Sequence, residues 1–151
     1  MADWNKRFID VAKLVASWSK DRNRKVGCVI VDKDNRIIST GYNGFPSGIN
    51  DDVDSRHERP AKYLFTEHAE RNSIYSAVNH GISTKGCTMV LEWYPCADCA
   101  RAIIQSGIKK VVCGEPDFND DRWGESFKVS HEMFSESGIE IEYINTNLTQ
   151  K

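Results

Sequence analysis

The stretch "CTMVLEWYPCADCARAIIQSGIKKVVCG", residues 87–114, decides the fold. Its first seven residues read as a strand, 96–107 as a helix closed by Gly107, and 109–114 as a second strand. Two strands joined through a helix imply a crossover connection and parallel pairing. Downstream, residues 125–137 form a further helix closed by Gly138, followed by the strand "IEIEYI" at 139–144. Upstream, "TEHAERNSIYSAVNHG" predicts a helix from about Thr66 to a glycine C-cap at Gly81. The segments "KVGCVIVD" (25–32) and "RIISTGYN" (36–43) flank a short "KDN" turn and read as an antiparallel hairpin. Residues 3–20 place Trp4, Phe8, Val11, Val15 and Trp18 at helical steps, with Asp3 as N-cap. The segment 43–66 between hairpin and helix reads as a long irregular loop, a kind more often functional than idle. The order α-β-β-α-β-α-β-α-β describes an α/β fold. It is a three-layer α/β/α sandwich with a five-stranded mixed sheet, read as one domain over 1–151.

Composition narrows the partner. The chain is 40% hydrophobic and 28% charged, with a net charge of −2. That balance suits a small-molecule ligand better than a polynucleotide. No apolar run is long enough to span a membrane, and "MADWNKRFID" lacks a signal-peptide core, which predicts a cytoplasmic protein with no membrane partner. Five cysteines, an odd number, suit thiols and metal ligands in a reducing compartment rather than a disulfide framework. Cys28, Cys87 and Cys113 fall in predicted strands and read as small buried hydrophobes. His80 and His131 read as structural or surface residues, and the N-terminal aromatics Trp4 and Trp18 as core or subunit contacts.

Cys96 and Cys99 are the exception. Spaced i, i+3 at a helix start, they project together, and the helix dipole there favours thiolates. A redox pair would normally follow the first strand of its fold, and a structural zinc site needs four protein ligands where only one Cys-x-x-Cys exists. His68, at the start of the preceding helix, supplies a third ligand, because crossover helices begin at the same edge of the sheet. Three ligands leave one tetrahedral position for water, the pattern of a catalytic zinc. Glu70 is placed to move protons between that water and a leaving amine. The pattern H-x-E followed by P-C-x-x-C is the signature of zinc-dependent nucleobase deaminases.

Beyond that pattern, the segments "SKDRNRKVGCVIV", "GYNGFPSG", "HAERNSI" and "PCADCARAIIQSGIKKVV" resemble the cytidine and deoxycytidylate deaminase family, in particular its deoxycytidylate (dCMP) branch. The resemblance runs from about Ser19 to Ile144 and implies a cytidine deaminase-like fold. It implies hydrolysis of dCMP to dUMP and ammonia, feeding thymidylate synthesis. Water activated at a single Zn2+ would add at C4 of cytosine, with Glu70 protonating N3 and then the amino group. It further implies that the Ala69 amide holds the pyrimidine edge, that Asn43 contacts the sugar, and that Phe118 closes over the base. Asn23, Arg24 and Lys25 are candidates for the 5′-phosphate, although a charge run before a strand is as often a solvated turn. Many family members are homohexamers activated by dCTP with Mg2+ and inhibited by dTTP. The loop Gly44, Phe45, Pro46, Ser47 and Gly48 belongs to that regulatory region, and a plain glycine-rich turn is its bland alternative. The absence of an arginine from "SAVNHG" sets the chain apart from certain regulated members. Residues 44–67 offer only His57 as a second-zinc ligand, so none is expected. The competing functions are a deaminase acting on a base in tRNA or DNA, a free-nucleoside cytidine deaminase, and a zinc-stabilised binding module without turnover.

Overall fold

Strand Gly27–Val31 (β1) is buried along its whole length, so both of its faces must be covered. The computed structural model describes residues 1–145, and the last six residues of the predicted 1–151 domain lie outside it. β1 pairs antiparallel with Ile37–Tyr42 (β2) on one side and with Thr88–Leu91 (β3) on the other. Lys110–Cys113 (β4) and Glu140–Tyr143 (β5) continue the sheet in parallel, in the order β2-β1-β3-β4-β5. The sheet is therefore five-stranded and mixed, as the alternation of elements predicts, with half-exposed edges at β2 and β5.

Strand alternation sorts the core onto two faces. On one, Phe8, Ile9 and Ala12 of helix α1 (Trp4–Ala16) cover Val29, Val31, Val90 and Val112. On the other, Cys28, Ile30, Met89, Leu91, Val111 and Cys113 pack under the later helices. These are α3 (Ala69–Asn79), α4 (Ala97–Gln105) and α5 (Gly124–Ser137), which bring Ile74, Ala100, Ile103 and Phe134. The result is the three-layer sandwich, with one helix against one face and three against the other. Cys28, Cys87 and Cys113 are buried, as their strand context predicts. Gly41 lets α3 approach β2 closely, since a Cβ there would stand 2.4 Å from Ser73 N and 2.5 Å from Ala69 O.

Several boundaries differ from the sequence reading. Helix α1 ends at Ala16 rather than 20, although Asp3 caps it as expected by accepting from Lys6 N. Trp18 and Trp4 are exposed, which removes the core reading and leaves that of a subunit contact, with Trp18 edge-on to Tyr42 and Trp4 stacked on Phe8. The predicted loop 43–66 contains a 3-10 turn, Asp54–His57, and a short helix α2, Lys62–Phe65, neither of which has the length to register as periodicity. Finally, α3 begins at Ala69 and not Thr66. Glu67 is held extended by exchanging backbone hydrogen bonds with Gly44 (3.1 and 2.8 Å), and His68 follows at φ −77°, ψ 153°.

Candidate metal centre and cavity

β2, β3 and β4 run in the same direction, so the chain leaves each of them at the same edge of the sheet before entering α3, α4 or α5. His68 is the N-cap of α3 and Cys96 the N-cap of α4, and neither uses its side chain to cap. Both side chains turn instead toward one point. His68 Nδ1 lies 3.5 Å from Cys96 Sγ and 3.4 Å from Cys99 Sγ. The three ligand atoms sit within 4.8 Å of one another, the sole such cluster among the described residues. The spacing fits zinc, because Zn–S of about 2.3 Å and Zn–N of about 2.0 Å at a tetrahedral angle put sulfur and nitrogen about 3.5 Å apart. Cys96 stands at the helix start as an extended residue, one step earlier than the first-turn position the sequence suggests.

The electrostatics favour a cationic guest. A hydrogen bond from the Cys99 thiol, seconded by His68, pulls Cys96 down to about 4. The same bond and burial push the Cys99 thiol up, and Cys96 raises His68. A bound metal ion would replace these shared protons with its own charge. Arg71 ties the two ligand-bearing segments together, with Nε 2.6 Å from Glu67 beside His68 and Nη1 3.8 Å from Asp98 between the cysteines. Glu70, in the first turn of α3, is 5% exposed, and burial raises its carboxyl above the ordinary range.

His68, Glu70, Arg71, Cys96 and Asp98 line the foot of a cavity of about 370 Å³, with Cys99 buried beside them. Ala69, fully buried, lines it at the end of α3 where N–H groups lack helical partners. Of the residues proposed from sequence, Asn23, Arg24 and Asn43 also line it. Asn43 is already engaged, since its Oδ1 accepts from Val26 N at 2.8 Å and its Nδ2 donates to Arg24 O at 2.9 Å. It therefore positions the 24–26 segment. Arg24 lays its guanidinium 4.2 Å above the Trp93 ring. Lys25 and Phe118 stand elsewhere. Lys25 is exposed outside the cavity, and Phe118 packs edge-on against Tyr94 and His131. Trp123 lines the cavity and stands edge-on to His68 at 6.0 Å.

Arg59, Lys62, Arg122, Trp93 and Trp123 were missed by sequence reasoning. Only the tryptophan in "DDRWGE" offered a signal, as an aromatic in the loop after β4. Lys62 forms a nearly buried ion pair with Asp21 at 3.2 Å. Burial of Asp21 opposes its ionisation, yet hydrogen bonds from the Arg24 and Asn23 amides and Lys62 hold its carboxyl below the ordinary range.

A second, smaller cleft of about 80 Å³ is lined by Trp18, Lys20, Tyr42, Gly44, Phe45, Asp51 and His57, among others. Of the five loop residues, Gly44 and Phe45 reach it, whereas Pro46, Ser47 and Gly48 do not. His57 is occupied there, with Nε2 2.6 Å from Asp51 O and its ring stacked on Phe45.

Comparison with known proteins agrees with this geometry. A model of the cytidine and deoxycytidylate deaminase zinc-binding region matches residues 2–115. A protein described as an uncharacterized deaminase in the luxG 3′ region of Aliivibrio fischeri is 46% identical over 147 residues, 95% of each chain. Human deoxycytidylate deaminase is 39% identical over 123 residues, covering 78% of this chain and 68% of that one. The crystal structure of dCMP deaminase from cyanophage S-TIM5 in complex with dCMP and dUMP superposes with a TM-score of 0.74 at 27% identity, over 95% of this chain and 99% of that chain.

Proposed function

The chain belongs to the cytidine and deoxycytidylate deaminase zinc-binding family, and from that premise we propose that it hydrolyses dCMP to dUMP and ammonia. The observation that carries this reading is the His68, Cys96 and Cys99 cluster beside the buried Glu70 at the foot of a nucleotide-sized cavity. Zinc held by these three side chains would supply a water acidified toward neutral pH. Glu70 takes a proton from that water and delivers it to N3 as the hydroxyl adds at C4, then takes the proton of the C4 hydroxyl and delivers it to the departing amine, and so ends ionised as it began. Its raised pKa suits both directions of transfer. The Ala69 amide holds the pyrimidine edge. Asn43 borders the sugar and keeps Arg24 in place.

Asn23 and Arg24, with Arg59 and Arg122 at the same cavity, meet the 5′-phosphate. Trp123 covers the base in place of Phe118. The chain acts as one catalytic domain over 1–151 in the cytoplasm, assembled as a homohexamer. The cleft at Gly44 and Phe45 takes dCTP with Mg2+ as activator and dTTP as inhibitor. No described helix is long and apolar enough to cross a membrane.

The test follows the ultraviolet loss of cytosine absorbance with dCMP, run with and without dCTP and Mg2+. Rapid loss with dCMP and slow loss with deoxycytidine is expected. Equal rates on the two would remove the phosphate from the reading. Turnover only on a structured RNA or single-stranded DNA would replace the substrate.

A further inference from the structure

Each proposed ligand needs an anchor, and the three are anchored differently. The His68 amide donates to Glu67 Oε1 at 3.2 Å, and its carbonyl accepts from Asn72 N at 2.9 Å. Cys99 stands within the first turn of α4. Cys96 shares only the carbonyl anchor, its O accepting from Ala100 N at 2.8 Å. It is an extended residue at a helix start, and its side chain, turned toward His68, does not satisfy the amides a cap would ordinarily take.

Its two flanking peptides are gripped from another helix. Ser126 Oγ of α5 accepts from Ala97 N at 2.7 Å, and the Ser130 hydroxyl donates to Pro95 O at 2.9 Å. The serines are one helical turn apart and face α4 together. Ser130 is wholly buried, and its hydroxyl also lies 3.1 Å from Ser126 O. Ser126, about thirty positions along the chain, thus satisfies the first of the free N–H groups of α4. The same turn of α5 presents Phe127 to the cavity, and Trp123 immediately precedes the helix.

We infer that Ser126 and Ser130 are positioning residues for the metal centre, holding Cys96 in the orientation that completes the ligand set. The hydroxyls touch neither metal nor substrate. They hold the peptides on both sides of Cys96, so that its side chain needs no reorganisation when an ion arrives. Partners standing behind metal ligands commonly set affinity by about 10–100-fold. This inference rests on the zinc reading of the cluster.

The experiment uses the full chain as wild type, Ser126→Ala, Ser130→Ala and Ser126→Thr. Zinc affinity is measured by competition with a chelator, ligand geometry by the charge-transfer and d–d bands after Co2+ substitution, and folding by thermal melting without added metal. Ser126→Ala should weaken zinc about 10-fold or more and shift the cobalt bands. Ser126→Thr, which keeps the acceptor oxygen, should return both to within about twofold of wild type. Ser130→Ala should act in the same direction. Melting of Ser126→Ala without metal should stay close to wild type. Unchanged zinc affinity and cobalt spectrum in both alanine variants would overturn the inference. So would a loss in Ser126→Ala that threonine does not restore, which would make the serine a packing residue. Failure of wild type itself to take zinc would overturn the zinc reading, and this inference with it.

Discussion

The foot and the mouth of the large cavity are built on opposite plans. At the foot, His68, Glu70, Cys96 and Cys99 sit at the starts of two helices that leave the same edge of the sheet. They are tied by Arg71, Glu67 and Asp98 on one side and by the serines of α5 on the other. At the mouth, Arg24, Arg59, Lys62 and Arg122 come from loops and a four-residue helix. They are held by contacts of Arg24 with the Trp93 ring and Arg59 with the Tyr63 ring and by one nearly buried ion pair. Chemistry requires atoms fixed to a fraction of an ångström, whereas recognition of a phosphate tolerates mobile cations. Damage to the foot should therefore abolish turnover, and damage to the mouth should change affinity.

The largest effect belongs to the ligands. Cys99→Ala or His68→Ala leaves two donors, so bound zinc, counted by atomic absorption, should fall close to zero and deamination with it. Glu70→Gln comes next, because it keeps the buried shape but cannot accept a proton. It should retain zinc while kcat falls by about 10²–10⁴. Zinc lost together with activity would make Glu70 structural and blur the division between ligands and proton carrier.

A pH profile sharpens the same point. Burial raises the Glu70 pKa, so its proton-accepting form is lost as pH falls through a value above that of an ordinary carboxylate. The acid limb of kcat/KM should lie above pH 4.5, the usual carboxyl value, and should vanish from the residual activity of Glu70→Gln.

At the mouth, Arg24→Ala should raise KM for dCMP about 10-fold or more with kcat little changed, since a hydrogen bond to a charged group contributes about 1.5–3 kcal/mol. Deoxycytidine kinetics should hardly move. A fall in kcat alone would assign Arg24 to the foot.

The smallest expected effect is on stability. Lys62→Met leaves Asp21 without its ion pair and should destabilise the fold by roughly 1–2 kcal/mol, less than the 3–5 kcal/mol typical of deeply buried pairs because the cavity opening admits water. The Asp21 pKa is depressed in the fold. Its contribution is present above the ordinary carboxylate value and lost as pH falls through the lower folded value. Chemical denaturation at neutral pH and at about pH 3 should accordingly show a smaller difference between Lys62→Met and wild type in acid.

What could be read without coordinates follows from short-range regularity. The helical steps from Trp4 to Val15 locate α1, the glycines Gly107 and Gly138 mark where α4 and α5 stop, and the 87–114 unit dictates a crossover and parallel pairing. Cys96, Cys99 and His68 could be named as one site because helices that leave parallel strands must begin at one edge. The sequence by itself determined the residue types of the His68, Cys96 and Cys99 cluster, the carboxyl of Glu70 near it and the order of the main elements. It did not determine that Nδ1 is the nitrogen facing the sulfurs, that α3 starts one residue after His68, or that Trp123 rather than Phe118 stands beside the imidazole. Nor could it bring Arg59 and Arg122 to one cavity, or seat Ser126 and Ser130 on the peptides around Cys96. Those choices rest on contacts between residues tens of positions apart. No local period encodes such contacts, which form only when the sheet brings the helix starts and loops together and each buried polar group finds its partner.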